Sequence, residues 1–375
     1  MNSSSSNRSS YVLYDFMQVA GGAERVTLQI AQRFAVLHPV VSRVYLDAAP
    51  MVEVSGVYVH TLADKQTRWL GRIPEAVWCF WSRGQLVRDA SVVVYSGFYA
   101  PLAVRHQKQG RKVYYCHTIP RFAYDLYELE KARFPWYLRS VYAVGIACYR
   151  YMYKRAINRM DVLLVNSENV RHRMQRYLGL ETQVLYPPVA TKRFRWMADD
   201  GYYLSVARLT ANKRVEVAVK AFAAMPHRRL MVMSGGPELL KLQQLAIGAS
   251  NIEFVGWQSE EDMLRLIGRC RAVVYLPIDE DFGMSPVEAM AAGKPVLGVA
   301  EGGLLETVLH GETGVLMEGD PTPEKLVAAV ESLDVMDSSR LRAACEARAK
   351  RFDETVFFEK LNKVLAPSHM AELSA

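Results

Sequence analysis

Glu280 and Glu288 stand eight residues apart in the run Asp279-Glu280-Asp281-Phe282-Gly283-Met284-Ser285-Pro286-Val287-Glu288, directly after the apolar stretch from Ala272 to Pro277. The apolar stretch reads as a buried strand, residues 279–284 as a glycine-containing loop, and Ser285-Pro286 as the N-cap and first position of a helix. One carboxylate then lies on the loop and the other in the first helical turn. Backbone amides at a helix start can receive a phosphate, and carboxylates accept hydrogen bonds from sugar hydroxyls. A nucleotide sugar requires both. The same Ser285-x-x-Glu288 spacing also reads as a capping box, in which Glu288 serves only its own helix.

Two cations add to this chemistry. Arg208 follows the strand read over Tyr202 to Ala207, and Lys213 stands five positions later, before a helix expected to begin near Arg214. A nucleoside diphosphate gathers negative charge as its glycosidic bond breaks, and a guanidinium with an ammonium stabilises that charge most in the transition state. Taken alone, the pair also reads as two surface cations at the ends of a strand and a helix. His117, in Tyr114-Tyr115-Cys116-His117-Thr118-Ile119-Pro120-Arg121, ends another apolar strand. Asp279-Glu280-Asp281 reads as Asp-x-Asp, a metal-binding pattern, but Arg208 and Lys213 already provide charge for a diphosphate, so no metal is expected.

The elements that must hold these residues follow a parallel α/β pattern. Tyr11 to Phe16 reads as a first strand, followed by the Gly21-Gly22 turn and an amphipathic helix over Arg25 to Phe34. Such glycines let a ligand approach the backbone. Further strands are expected at Val92 to Tyr95, Val113 to Cys116 and Val162 to Val165. Tyr186-Pro187-Pro188 interrupts the pattern, and strands recur at Tyr202 to Ala207, Leu230 to Met233, Ile252 to Val255, Ala272 to Pro277 and Pro295 to Val299. The expected organisation is a disordered leader at 1–10, a first domain at 11–188, a second at 189–353, and a last helix within 354–375 crossing back to the first domain. Asn166-Ser167, at the end of a first-domain strand, is a secondary candidate.

The chain has 375 residues, half of them apolar, enough for two domains each with its own core. Its five cysteines are odd in number and form no Cys-x-x-Cys pair, so a reducing, cytoplasmic setting is expected. Charge is unevenly divided: residues 1–190 hold 24 Lys and Arg against 13 Asp and Glu, whereas 191–375 hold 22 against 26. The densest basic stretch, Lys131 to Arg159, mixes Lys131, Arg133, Arg139, Arg150, Lys154, Arg155 and Arg159 with Phe134, Trp136, Tyr137, Tyr142, Tyr149, Tyr151 and Tyr153. That mixture suits an anionic membrane surface, and Arg139 and Arg150 leave too short an apolar run to span a bilayer. An ordinary solvated helix with a tyrosine-rich core face remains the alternative. Nothing in the sequence resembles a nucleic-acid-binding motif.

With its Glu-x7-Glu run, the chain resembles the retaining glycosyltransferases of family 4 (GT4) over nearly its whole length. The resemblance implies the GT-B fold: α/β, two Rossmann-like domains facing each other across a cleft. It implies diphosphate binding by Arg208 and Lys213, ribose binding by Glu288, a donor-sugar contact by Glu280 near the reacting carbon, and backbone contacts from Phe282, Gly283 and Met284. His117 matches a family histidine that touches the donor sugar, and Gly302-Gly303, before Leu304-Leu305-Glu306, resembles a further family loop and is a secondary candidate. The segment from His117 through Arg121 and Asp125 is similar to GT4 mannosyltransferases, whose pattern is His-Thr-Pro-x-Arg-Tyr-x-x-Asp; here Ile119 separates Thr118 from Pro120, and Phe122 replaces the tyrosine.

The expected function is therefore transfer of a hexose, mannose from GDP-mannose, to a hydroxyl of a polyprenyl-diphosphate-linked glycan. The expected setting is polysaccharide or lipopolysaccharide assembly at the cytoplasmic face of the inner membrane. No metal or other cofactor is expected, and the nucleotide sugar is a substrate. Another nucleotide sugar, a 2-epimerase of the same fold, and a non-catalytic glycan-binding protein are the alternatives.

Overall fold

The computed structural model describes residues 9–19, 21–64 and 71–366. Most of the expected leader, residues 1–8, and the end of the chain from 367 lie outside them; Ser10, read as leader, already belongs to the first strand. The chain forms two compact units, one of residues 1–185 with 358–375 and one of residues 186–357. The first crossing falls at Tyr186, beside two prolines that cannot continue a strand ladder. The second falls inside the helix Glu354–Leu365.

The first unit holds a seven-stranded sheet in the order β3-β2-β1-β4-β5-β6-β7. Its strands are β1 Ser10–Tyr14, β2 Leu37–Val41, β3 His60–Thr61, β4 Val92–Ser96, β5 Arg111–Cys116, β6 Val162–Val165 and β7 Gln183–Val184. The second unit holds a six-stranded sheet in the order β10-β9-β8-β11-β12-β13. Its strands are β8 Tyr202–Ser205, β9 Arg229–Met233, β10 Ile252–Gly256, β11 Ala272–Tyr275, β12 Val296–Val299 and β13 Gly314–Met317. All ladders between these strands are parallel.

Continuous apolar runs such as Ala272-Val273-Val274-Tyr275 form central strands because helices cover both sheet faces, leaving no side of the strand in water. Their side chains fill the cores: Val93, Val113, Val165, Val273 and Leu297 are fully buried. Four strands carry little sequence signal. β3 and β7 are two-residue edge strands, β2 contains Pro39, and β13 begins on Gly314. Gly314 is required there, because a Cβ would stand 2.0 Å from the carbonyl oxygen of Val296 on the neighbouring strand.

Candidate functional site

In the second unit the loops that leave β8, β9, β11 and β12 gather at the carboxyl edge of the sheet, where open α/β sheets bind ligands. The loop after β8 carries Arg208, which is exposed, and a tight turn at Ala211–Lys213. Lys213 Nζ lies 2.5 Å from Glu280 Oε2 and 3.2 Å from Tyr275 Oη. Two residues from distant parts of the sequence thus form one ion pair. Burial, followed by the Glu280 charge, pushes the Tyr275 hydroxyl well above its ordinary value, so it stays protonated and neutral beside the pair.

Arg214 follows in the left-handed conformation, φ 49°, and fastens the loop after β11. Its Nε donates to the Leu276 carbonyl at 2.8 Å, and its Nη2 donates to the Pro277 carbonyl at 2.7 Å and to Glu301 Oε1 at 2.9 Å. The other oxygen of Glu301 accepts the Asp279 amide at 3.1 Å, and the Ile278 amide donates to the Asn212 carbonyl at 2.8 Å. The strand read as Ala272 to Pro277 therefore stops at Tyr275, because the next two carbonyls turn to the guanidinium instead of a neighbouring strand. Arg214 and Glu301 carried no sequence signal beyond their nearness to Lys213 and Gly302.

The helix starts differently from its sequence reading. It spans Met284–Ala291 and is capped by Gly283, whose φ of 87° only glycine adopts without strain. Ser285 and Pro286 are its second and third residues, and no side chain caps it, so the Ser285-x-x-Glu288 capping box does not form. Glu288 accordingly sits one residue beyond the first turn, and it is buried, 6% exposed. Phe282 is also buried, against Tyr186 at 5.5 Å and Phe352 at 5.4 Å between ring centroids. Its side chain is thereby used for packing, which leaves its backbone to the loop. Gly303 donates its amide to the Glu280 carbonyl at 2.8 Å, and a Cβ there would stand 2.4 Å from the Phe282 Cα. Gly302-Gly303 thus supports the acidic loop from below.

The loop after β9 adds Ser234 at φ 90° and Gly235-Gly236, with a Cβ on Gly236 meeting the Leu209 carbonyl oxygen at 2.3 Å. Trp257, just beyond β10, is 72% exposed beside Gly235. Sequence reading passed over this indole because one tryptophan after a strand has no pattern around it. Asp279, at φ 45°, completes a set of three non-glycine residues with positive φ among the described residues, all in this unit's strand-end loops. Such strain concentrates at functional sites. Among the described residues no group of three or more His, Cys, Asp or Glu converges as a metal site.

In the first unit His117 follows β5, as its spacing implied. Tyr115 and Tyr14 meet its ring edge-on at 4.9 and 6.2 Å, and Nε2 is enclosed with no hydrogen-bond partner. Burial lowers its pKa to about 4, so the imidazole is neutral near pH 7. Arg121 Nε donates to Asp125 Oδ2 at 2.7 Å. Gly21 is the N-cap of the helix Gly22–Arg33, but a Cβ on it would collide with the Glu24 carboxylate, which folds over this turn. The chain's own acid thus faces the turn at which ligand approach was expected. Asn166 is buried after β6, and Ser167 caps the helix Glu168–Leu178 by accepting the Val170 amide at 3.0 Å, a structural role.

Residues 190–352 match the family model for glycosyl transferases group 1, and residues 20–193 match that for glycosyltransferase family 4. The chain belongs to the GT4 glycosyltransferases. Together the two matches take in every strand except β1, and they place the acidic loop, Arg208 and Lys213 inside the group 1 region. This glycosyltransferase is 25% identical over 213 residues to the uncharacterised glycosyltransferase MJ1178 of Methanocaldococcus jannaschii, covering 56% of this chain and 60% of that one. It is 26% identical over 256 residues to the alpha-1,3/1,6-mannosyltransferase ALG2 of Dictyostelium discoideum, covering 55% and 60%. The aligned part therefore spans about three fifths of these curated relatives. The crystal structure of Anabaena HepE in complex with UDP and glucose superposes with a TM-score of 0.74 at 17% identity, over 96% of this glycosyltransferase and all of that chain. The fold is GT-B.

Proposed function

We propose that this glycosyltransferase moves mannose from GDP-mannose to a hydroxyl of a polyprenyl-diphosphate-linked glycan, with retention at the anomeric carbon and without a metal. The observation that carries the reading is the Lys213–Glu280 contact of 2.5 Å, with Arg208 on the same strand-end loop. It joins a cation for the diphosphate to a carboxylate for the sugar. In this reading Arg208 and Lys213 stabilise charge as the bond from the anomeric carbon to phosphate breaks, and the electron pair leaves with the diphosphate. The acceptor oxygen bonds to the same face of that carbon, and its proton passes to a leaving phosphate oxygen. Glu280 holds sugar hydroxyls, Glu288 the ribose, and neutral His117 contacts the donor sugar.

Mannose is favoured by the ALG2 relatives and by the His117 to Asp125 segment, whose Arg121 and Asp125 form an ion pair. A lipid-linked acceptor and a peripheral place on the cytoplasmic face of the inner membrane are favoured by the basic first half of the chain. Among the described residues, no helix is long and apolar enough to cross a membrane.

The experiment is a thermal-shift comparison of GDP, UDP and ADP, followed by proton NMR of the first-formed product from GDP-α-mannose. A bound nucleotide raises stability with the logarithm of its saturation. GDP is expected to give the largest shift and the product an α-mannoside. A larger shift with UDP replaces the donor, and a β-anomer removes the retaining mechanism.

A further inference from the structure

The stretch from Lys131 to Arg159 contains seven cations and no Asp or Glu. Sequence alone makes it an evenly basic and aromatic patch; the structure divides it into two faces. Tyr149 and Tyr153 of the helix Arg139–Ile157 are buried in the core of the first unit, and Tyr142 is stacked between Tyr127 and Phe134. Arg150 is committed internally: it lies 4.6 Å over the Tyr127 ring and donates to the Ala123 carbonyl at 2.5 Å. Lys131 and Arg133 are answered by Glu128 and Glu130 on the preceding helix.

Much of what remains outside is apolar. Trp136 is 80% exposed, Val141 69% and Val144 71%, with Tyr137, Leu138 and Tyr151 exposed beside them. Tyr137, Val141, Val144 and Tyr151 recur at helical spacing, on the side of the helix opposite Ile146, Tyr149 and Tyr153. Lys154 and Arg155 are exposed at the end of the same helix, and Arg159 follows it. Soluble surfaces carry single exposed apolar residues without consequence, but a contiguous stripe with tryptophan and tyrosine at one end and exposed cations at the other is a contact surface. The lack of any acid in the stripe, and these three exposed cations, complement an anionic sheet of headgroups. Trp and Tyr favour the depth where one end of the ring is apolar and the other is wet.

We infer that Trp136, Tyr137, Leu138, Val141, Val144 and Tyr151 form a wedge that enters the outer layer of an anionic lipid bilayer, with the helix Arg139–Ile157 lying along the surface and Lys154, Arg155 and Arg159 on the headgroups. Insertion of apolar side chains, rather than charge alone, holds the protein there. The inference rests on the lipid-borne acceptor reading only for its purpose, since its readout requires no sugar transfer.

The test is co-sedimentation of the full chain with vesicles of equal parts phosphatidylglycerol and phosphatidylcholine, at low and physiological salt. Trp136→Ser, Val141→Ser and Val144→Ser combined should lower vesicle partition by about tenfold or more at both salts, since exposed apolar area is what they remove. Lys154→Ser, Arg155→Ser and Arg159→Ser combined should lower it mainly at low salt, where surface charge reaches farthest. Brominated lipid should quench the fluorescence difference between wild type and Trp136→Phe. All these positions are exposed, and an unchanged melting temperature verifies folding. Wild type remaining in the supernatant at low salt overturns the inference, as does an apolar triple variant that pellets like wild type. A concentration-dependent dimer that this variant abolishes, with no vesicle binding, would assign the stripe to a second copy of the chain. Vesicle binding without mannosyl transfer would defeat the proposed reaction and leave this surface standing.

Discussion

Lys213 and Glu280 neutralise each other, so under the proposed roles a diphosphate would compete with Glu280 for the ammonium. Glu280→Ala is therefore expected to leave GDP affinity intact or raise it while turnover falls. Glu288→Ala, on the buried side of the helix Met284–Ala291, should weaken GDP binding through lost ribose contacts. Calorimetry on both variants checks this, and equal loss in each would remove the division of roles. Arg208→Ala and Lys213→Ala should each lower turnover about a hundredfold or more, the scale of a lost transition-state charge partner. Activity should survive EDTA; loss on chelation with recovery in Mn²⁺ would instead assign Asp279-Glu280-Asp281 to a metal.

His117 gives a pH dependence of definite sign. Its folded pKa of about 4 lies below the ordinary 6.5, so its contribution to stability is complete above pH 6.5 and is lost as pH falls toward 4. Each tenfold difference in proton affinity between the folded and unfolded chain is worth about 1.4 kcal/mol, which makes the full loss roughly 3 kcal/mol. Asp15 works in the opposite direction: burial raises it to about 6, despite amide hydrogen bonds from Phe98, Tyr99 and Ala100, so its contribution grows as pH falls. The two overlap, and only a difference separates them. Denaturant midpoints of wild type and His117→Asn should converge between pH 7 and about pH 4.5, just above the folded pKa; parallel curves would show that the imidazole is solvated.

At the scale of elements, the acidic loop is held from two sides, by Arg214 with Glu301 and by Gly303 under Phe282. Arg214→Ala strands two carbonyls that have already left the sheet, and charged hydrogen bonds of this kind are worth about 2 kcal/mol. We expect lower thermal stability together with lost turnover. Gly303→Ala should lower both as well, because its Cβ would stand 2.4 Å from the Phe282 Cα and so displace a core ring together with the loop beside Glu280. Circular-dichroism melting and steady-state kinetics on both variants check this. Gly302-Gly303 stood out in the sequence because it resembles a further loop of the family. Arg214 did not, since a third cation in Lys213-Arg214 reads as one more surface charge until its guanidinium is seen on two carbonyls. The helix start was misplaced for a related reason. Ser-Pro is a strong local start signal, but a left-handed Gly283 two residues earlier already lets the chain turn into the helix.

On the scale of the whole molecule, each unit has its own buried core and its own chemistry, with His117 in the first and the paired Lys213 and Glu280 in the second. Domains with separate cores can unfold separately. Calorimetric melting with GDP at about a hundred times its dissociation constant should stabilise the second unit by about 2.7 kcal/mol. A single transition that moves as one would show that the units unfold together.

The sequence by itself determined the fold class, the two-part organisation and the strands that are buried on both faces, because continuous apolar runs between glycine-rich turns have few other solutions. It also set out the chemically capable residues, since a glutamate pair at fixed spacing and cations at strand ends are local patterns. The tertiary structure decided what those residues touch. The Lys213–Glu280 pair joins positions 67 apart in the chain. The capping of the acidic helix by Gly283, the burial of Glu288 and Phe282, and the commitment of Arg150 to a carbonyl and a ring likewise depend on contacts made only after the strands assemble. The same holds for the basic stretch: its composition is local, but which side of its helix meets the core, and which apolar residues are left to meet something else, is a property of packing.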